Sequence, residues 1–205
     1  MSLRLPSKLP LLLFFSILVT GCSSIQNSNT SVEWQAHQQR LELVRDYKAA
    51  GKLGYIAPKQ RESLSFYWQN SPKASDLRLT TFLGQTVLNM NINAAGARVE
   101  TYNNETFTDV SADRLIANLT GLNIPVEQLN DWLLGKPTNA DNFTVNDTQT
   151  LASLTKNING QTWKLIYSSY QDAPFLGSDL PVPYKLKLKQ DDTTINLVIS
   201  KWTLK

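Results

Sequence analysis

The chain has 205 residues, 41% of them hydrophobic, with 20 Lys+Arg against 17 Asp+Glu and a formal net charge of +3. That length suits one domain with a real core. So small a positive excess, with no long basic run, excludes a nucleic-acid footprint, and one histidine with one cysteine leaves little for thiol or imidazole chemistry.

Arg4 and Lys8 precede an apolar run, Leu11 to Val19, broken only by Ser16. The run is too short to span a bilayer, which takes about 20 residues, and a short apolar stretch behind a positive start reads as a secretory signal peptide. It ends in Val19-Thr20-Gly21-Cys22, which resembles the bacterial lipobox. In that reading residues 1–21 are a signal peptide cut before Cys22. The Cys22 thiol carries a diacylglycerol and its new amine an N-acyl chain such as palmitate. These are the only covalent groups expected, and no other cofactor and no metal is implied. Two or more acyl chains anchor stably, at about 0.8 kcal/mol per buried methylene. The mature chain then has no disulfide. Loss of Arg4 and Lys8 lowers the formal charge from +3 to +1. Ser23 and Ser24 follow the cysteine, and the usual Gram-negative sorting rule then implies the outer membrane, facing the periplasm. Residues 22–31, polar and small, read as a lipidated flexible tether. Residues 32–205 form the single domain.

A helix follows. Thr30 and Glu33 have capping-box spacing, and Trp34, His37, Leu41 and Val44, with Tyr47 near the end, recur at helical spacing up to Gly51. His37 lies on or beside that stripe and reads as structural. From Lys52 the period changes to two. Leu53 and Tyr55 open a strand, Pro58-Lys59 is a turn, and Leu64, Phe66 and Trp68 alternate with polar neighbours. Asp76 to Ile92 reads as a hairpin, with Leu77 and Leu79 on one arm and Leu88, Met90 and Ile92 on the other. Its tip carries Phe82 and Leu83 before Gly84, where turns normally carry Asn, Asp, Gly or Ser. Two large apolar side chains at a turn either fold back on the body or meet something apolar outside. Val99, Thr101 and Phe107 suggest further strands around an Asn103-Asn104 turn.

Two short amphipathic helices occupy the middle. Ser111 caps the first, with Leu115, Ile116 and Leu119 on its apolar face and Gly121 at its end. Pro125 opens the second, with Leu129, Trp132 and Leu133 on one face and Gly135 at its close. Strands resume with Leu151 and Leu154. Trp163, Leu165 and Tyr167 follow an Asn159-Gly160 turn. Asp172 to Pro183 reads as a long proline-bearing loop. Leu186 and Leu188 then alternate with Lys185, Lys187 and Lys189. Asp191-Asp192 turns the chain into Ile195, Leu197, Ile199 and Trp202.

The fold class is therefore mostly β with helices (α+β): a curled antiparallel sheet of ten or eleven strands, with the helices lying across it. Its concave face carries Phe66, Trp68, Leu77, Leu79, Leu88, Met90, Trp163, Leu165, Leu186, Leu197 and Ile199. Leu115, Leu119, Leu129, Trp132 and Leu133 face it from the helices. These side chains either form a dry core or leave an apolar pocket where sheet and helices fail to close.

No catalytic constellation accompanies them. A Ser-His-Asp arrangement would have to use His37, no carboxylate cluster suggests a metal, and no glycine-rich loop follows a strand as phosphate binding requires. The chain reads as no enzyme.

The lipobox, Trp34-Gln35-Ala36-His37-Gln38, Gly51-Lys52-Leu53-Gly54-Tyr55, Phe66-Tyr67-Trp68, Leu77-Arg78-Leu79 with Leu83-Gly84, Leu119-Thr120-Gly121 with Ile124-Pro125, Trp132-Leu133-Leu134-Gly135, Trp163 and Trp202 occur in an order that resembles the LolB family of outer-membrane lipoprotein receptors. The resemblance spans essentially the whole mature chain. It implies an incomplete (half) β-barrel with a helical lid over an apolar cavity. It implies a monomer that accepts lipoprotein acyl chains from the periplasmic carrier LolA and places them in the inner leaflet of the outer membrane. The family's protruding loop carries a functional leucine, matched here by Leu83. A proline often precedes that leucine, whereas this chain has Phe82, which makes the tip bulkier and less stiff. The alternative is an outer-membrane lipoprotein that scaffolds an envelope assembly complex without binding acyl chains.

Overall fold

The computed structural model describes Ser28 and residues 30–205. The expected signal peptide, Cys22 and most of the expected tether lie outside the described residues. Ser28 and Thr30 both donate hydroxyl hydrogen bonds to Asp172, at 2.7 and 3.0 Å, so the C-terminal end of the stretch read as a free tether lies against the body.

The element order is α1 (Trp34–Glu42), β1 (Tyr47–Ala57), β2 (Gln60–Asn70), β3 (Ala74–Thr80), β4 (Thr86–Asn93), β5 (Gly96–Thr101), β6 (Thr106–Asp109), α2 (Ala112–Thr120), α3 (Val126–Leu134), β7 (Asn142–Val145), β8 (Leu151–Ile158), β9 (Gln161–Phe175), β10 (Ser178–Gln190) and β11 (Thr193–Leu204). The strands form one unclosed antiparallel sheet of 11, in the order β6-β5-β4-β3-β2-β1-β11-β10-β9-β8-β7. The two edges, β6 and β7, are the strands that flank the α2–α3 segment in the chain. The helices must therefore cross from one edge to the other, and they do so over the concave face. Each edge strand has only four residues, and short edges resist pairing with other chains. Buried residues run from His37 to Ile199 and strands from Tyr47 to Leu204.

Three local expectations are corrected. The first helix does not run to Gly51. Glu33 itself is the N-cap, accepting from the amides of Gln35 and Ala36, and the helix ends at Glu42. Tyr47 and Ala49 are instead buried positions of β1, and alternate burial over so short a stretch cannot be told from a helical stripe by spacing alone. Gly51 is no helix stop. It sits at a register shift between β1 and β11, where a methyl group would collide with the Val198 carbonyl oxygen. The third correction concerns residues 172–183. They are not a loop: Asp172 pairs with Pro181 and Ala173 with Leu180, in strands that turn only at Leu176-Gly177. β11 pairs with β10 only from Lys185 onward. Pro181 and Pro183 thus lie where β10 has one neighbour, a position that tolerates a missing N–H. The edge strand β7, whose Phe143 stacks on Trp34 at 5.5 Å, was not foreseen.

One end of the sheet is plugged. On α1, His37 Nε2 lies 2.8 Å from the Pro181 carbonyl, Arg40 donates to the carbonyls of Phe175 and Asp179, and Leu41 is fully buried. These partners all belong to the β9–β10 end. The opposite end carries the β1–β2, β3–β4, β5–β6, β8–β9 and β10–β11 turns, as the antiparallel registers require.

Candidate functional site

Between the sheet and the helices lies an apolar cavity of about 170 Å³. Its wall is Leu53, Phe66, Trp68, Leu77, Leu79, Leu88, Met90, Leu188, Ile195 and Leu197 from the strands, with Ile116, Thr120, Ile124, Val126, Leu129 and Leu133 from the lid. Thr120 is the only hydroxyl in the wall, and it is spent on the Ile116 carbonyl at 2.7 Å. Nothing in the wall therefore asks for a polar partner, and any apolar occupant is held by burial alone.

Among the expected concave-face residues, nine line this space: Phe66, Trp68, Leu77, Leu79, Leu88, Met90, Leu129, Leu133 and Leu197. Leu115, Trp132, Trp163, Leu165, Leu186 and Ile199 do not line it. They are buried in the solid core, and Leu119 is half-buried against it. The reason is place across the sheet as well as along it. Leu186 is level with Leu197 and Leu53, Ile199 with Phe66, and Leu165 with Leu188 and Ile195, yet in each row only the residues nearer β4 line the cavity, which does not reach β9. The alternation of β1, β10 and β11 supplies Leu53, Leu188 and Ile195, but only strand pairing reveals their place in the sheet. Ile124 and Val126 enter through the α2–α3 link.

The lid is fixed by polar contacts around the cavity. The indole of Trp163 donates to the Asn123 carbonyl at 2.7 Å, and that of Trp132 to the Thr138 carbonyl at 2.9 Å. On α3, Asn130 is a three-way anchor. Its carbonyl accepts from the Tyr47 hydroxyl at 2.7 Å, and its Oδ1 accepts from Trp68 Nε1 and Ser75 Oγ, both at 3.0 Å. Burial, with the Asp131 charge second, pushes the Tyr47 hydroxyl well above its ordinary range. Tyr167 is raised likewise by burial and donates to the Trp132 carbonyl at 2.8 Å. Both phenols stay protonated donors at any physiological pH. The starts of the two lid helices cap one another. Glu127 accepts from Ser111 Oγ and the Ala112 amide, and Asp113 accepts from the Glu127 amide. Burial holds the Asp113 carboxyl above its usual value, and the Glu127 charge pushes the same way.

The β3–β4 tip lies at the open-turn end of the sheet. Residues 81–85 close by backbone bonds from Thr81 to Gln85 and from Gly84 to Thr81, with Gly84 at φ +83°. Phe82 is 84% and Leu83 72% exposed, so neither side chain folds back on the body. A more polar groove of about 300 Å³ over the outer face of β2–β5, with Asp76, Arg78 and Asn89 in its wall, offers an apolar ligand little.

Comparisons with known proteins agree with this architecture. Residues 45–202 match the family model described as outer membrane lipoprotein LolB. The outer-membrane lipoprotein LolB of Vibrio vulnificus is 49% identical over 194 residues, covering 95% of this chain and 96% of its own. Its counterpart in Vibrio parahaemolyticus is 51% identical over 195 residues, covering 94% and 96%. The crystal structure of a LolA superfamily protein from Nitrosomonas europaea superimposes with a TM-score of 0.50 at 8% identity, over 85% of this chain and 94% of that one, a likeness of fold alone. The half-open sheet with its helical lid is thus a LolA-type fold, and the chain belongs to the outer-membrane lipoprotein LolB family.

Proposed function

We propose that the protein accepts the acyl chains of lipoproteins from a LolA-like periplasmic carrier in this cavity and delivers them to the inner leaflet of the outer membrane. In this reading Cys22 carries the anchor, and Phe82, Leu83 and Gly84 form the membrane-contacting tip. The observation that carries the proposal is an apolar cavity with no free polar group in its wall, set in the half of the sheet nearest an exposed apolar tip. Burial without directional bonds tolerates cargo of many sequences, because the acyl chains are common to all of them.

At about 170 Å³ the cavity falls below the roughly 300–1,000 Å³ of ordinary ligand pockets. Acceptance of an acyl chain therefore requires the lid to move outward, and the half-buried Ile124 and Leu129 are its least committed contacts. Direction needs no nucleotide. Cargo moves downhill when the receptor binds acyl chains more tightly than the carrier does, and the bilayer more tightly still.

The test is transfer. A carrier loaded with a labelled lipoprotein is mixed with the mature chain bearing Cys22→Ala, and the label is followed by size and affinity. Label moving onto the receptor is the expected result. No movement, with a stable stoichiometric complex of protein partners instead, would favour a scaffold.

A further inference from the structure

The strand registers gather six cations on one patch of the convex face, the face turned away from lid and cavity. Lys52 on β1, Arg61 on β2, Lys164 on β9 and Lys185, Lys187 and Lys189 on β10 are all exposed. Arg61 aligns through Ile56, Thr194 and Lys189 with Lys164, and Lys52 aligns through Val198 with Lys185. The positions between them on that face are serine, glycine, threonine, asparagine, valine and isoleucine, with no acid. None of the six is in an ion pair among the described residues. Lys52 donates only to Ser65 Oγ, at 2.8 Å. The acids closest in the chain are Glu62, which follows Arg61 but alternates to the other face and pairs with Tyr55, and Asp191 and Asp192, in the turn beyond Lys189.

The segregation is out of proportion to the overall charge. Residues 22–205 hold 18 Lys+Arg and 17 Asp+Glu, so without these six cations the remainder carries 12 − 17 = −5. The patch also reaches the end of the sheet that bears the Phe82–Leu83 tip: Arg61 is on β2, beside β3, and precedes by only four residues the Ser65 that pairs with Thr80 at the base of the tip.

We infer that this convex basic patch is a docking surface for anionic phospholipid headgroups. It extends the delivery reading above by fixing how the body lies when the tip meets the bilayer. A spread of flexible ammonium groups on a sheet, with no pocket and no acidic neighbour among them, suits a diffuse negative surface rather than one shaped ligand. Its position opposite the lid leaves the cavity free while the body is docked. Carrier docking, by contrast, is expected on the cavity side, where cargo must enter. The lipid anchor supplies residence at the membrane, the cations supply orientation, and the tip supplies apolar insertion.

The experiment measures binding of the mature Cys22→Ala chain to vesicles of phosphatidylethanolamine with and without phosphatidylglycerol. No carrier or cargo is present, so failure of the transfer reading leaves the result untouched. Binding is expected to require phosphatidylglycerol and to weaken as salt is raised, since exposed charges are screened beyond about 8–10 Å. Each cation near such a surface is worth about 1 kcal/mol, roughly fivefold in affinity. The triple variant Lys164→Gln/Lys187→Gln/Lys189→Gln is therefore expected to lose about a hundredfold on anionic vesicles with an unchanged melting temperature. Equal binding to both vesicle types, or full affinity in the triple variant, overturns the proposal.

Discussion

Leu83→Glu separates delivery from every earlier step. Leu83 is 72% exposed and the tip is closed by backbone bonds and the Thr81 hydroxyl, none of which involves the Leu83 side chain, so the substitution removes little from the folded state. The melting temperature should hold within about a degree, as for ordinary surface changes of up to about 0.5 kcal/mol. Burying a leucine side chain completely contributes about 1.5–3 kcal/mol. With 72% of Leu83 still in water, its transfer into acyl chains is worth about 1–2 kcal/mol, or about five- to thirtyfold in partition. A carboxylate adds a desolvation cost on top of that loss. In the proposed mechanism cargo acceptance from the carrier uses the cavity, and it should be unchanged. Release into vesicles should slow by at least about tenfold. The assay loads both forms with the same labelled lipoprotein, adds vesicles and follows flotation of the label. Wild-type delivery rates in the variant would refute membrane contact by the tip. Failure already at cargo acceptance would move the residue's role to the carrier interface.

Three further outcomes are expected. Leu129→Trp, a half-buried wall residue of the lid, should fill part of the 170 Å³ cavity and depress cargo acceptance several-fold while leaving tip-dependent vesicle contact intact; a fluorescent fatty acid titration reads it directly. Gly51→Ala should destabilise by about 2–3 kcal/mol, within the range for overpacking, because its methyl meets the backbone carbonyl of Val198 rather than a movable side chain; urea unfolding measures the drop in midpoint. His37 provides a pH dependence. Burial holds its imidazole below the ordinary 6.5, with the Arg40 charge in the same sense and the Pro181 carbonyl opposing, and its Nδ1 has no partner among the described residues. The folded state thus resists a proton that the unfolded state takes up near pH 6.5, so stability is full above that value and falls as pH drops toward the lower folded value. His37→Gln should flatten that part of the melting-temperature profile between pH 7.5 and 5.5; an unchanged slope would assign it to other groups.

What the sequence determines here is whatever follows from local periodicity and chemistry. The alternation in 64–68, 77–79, 88–92, 163–167 and 186–188 is enough to place those strands and say which side chains turn inward. Ser111 and Gly121 bound one lid helix, and Pro125 and Gly135 the other, because caps depend only on nearby backbone. The odd composition of the Phe82–Leu83 tip is visible for the same reason. Position within the folded sheet, across it as well as along it, is not visible. Whether an inward leucine lines the cavity or packs the solid core depends on which residues of distant strands pair, and Leu188 and Leu186, two residues apart, take the two different fates. Pairing also decides that Tyr47 and Ala49 belong to a strand, that Gly51 is needed for close approach to Val198, and that Pro181 is tolerated where β11 leaves β10 uncovered. The basic patch is of this kind too. Lys185, Lys187 and Lys189 alternate in plain view, but Lys52, Arg61 and Lys164 join them only because the folded sheet orders its strands β2-β1-β11-β10-β9.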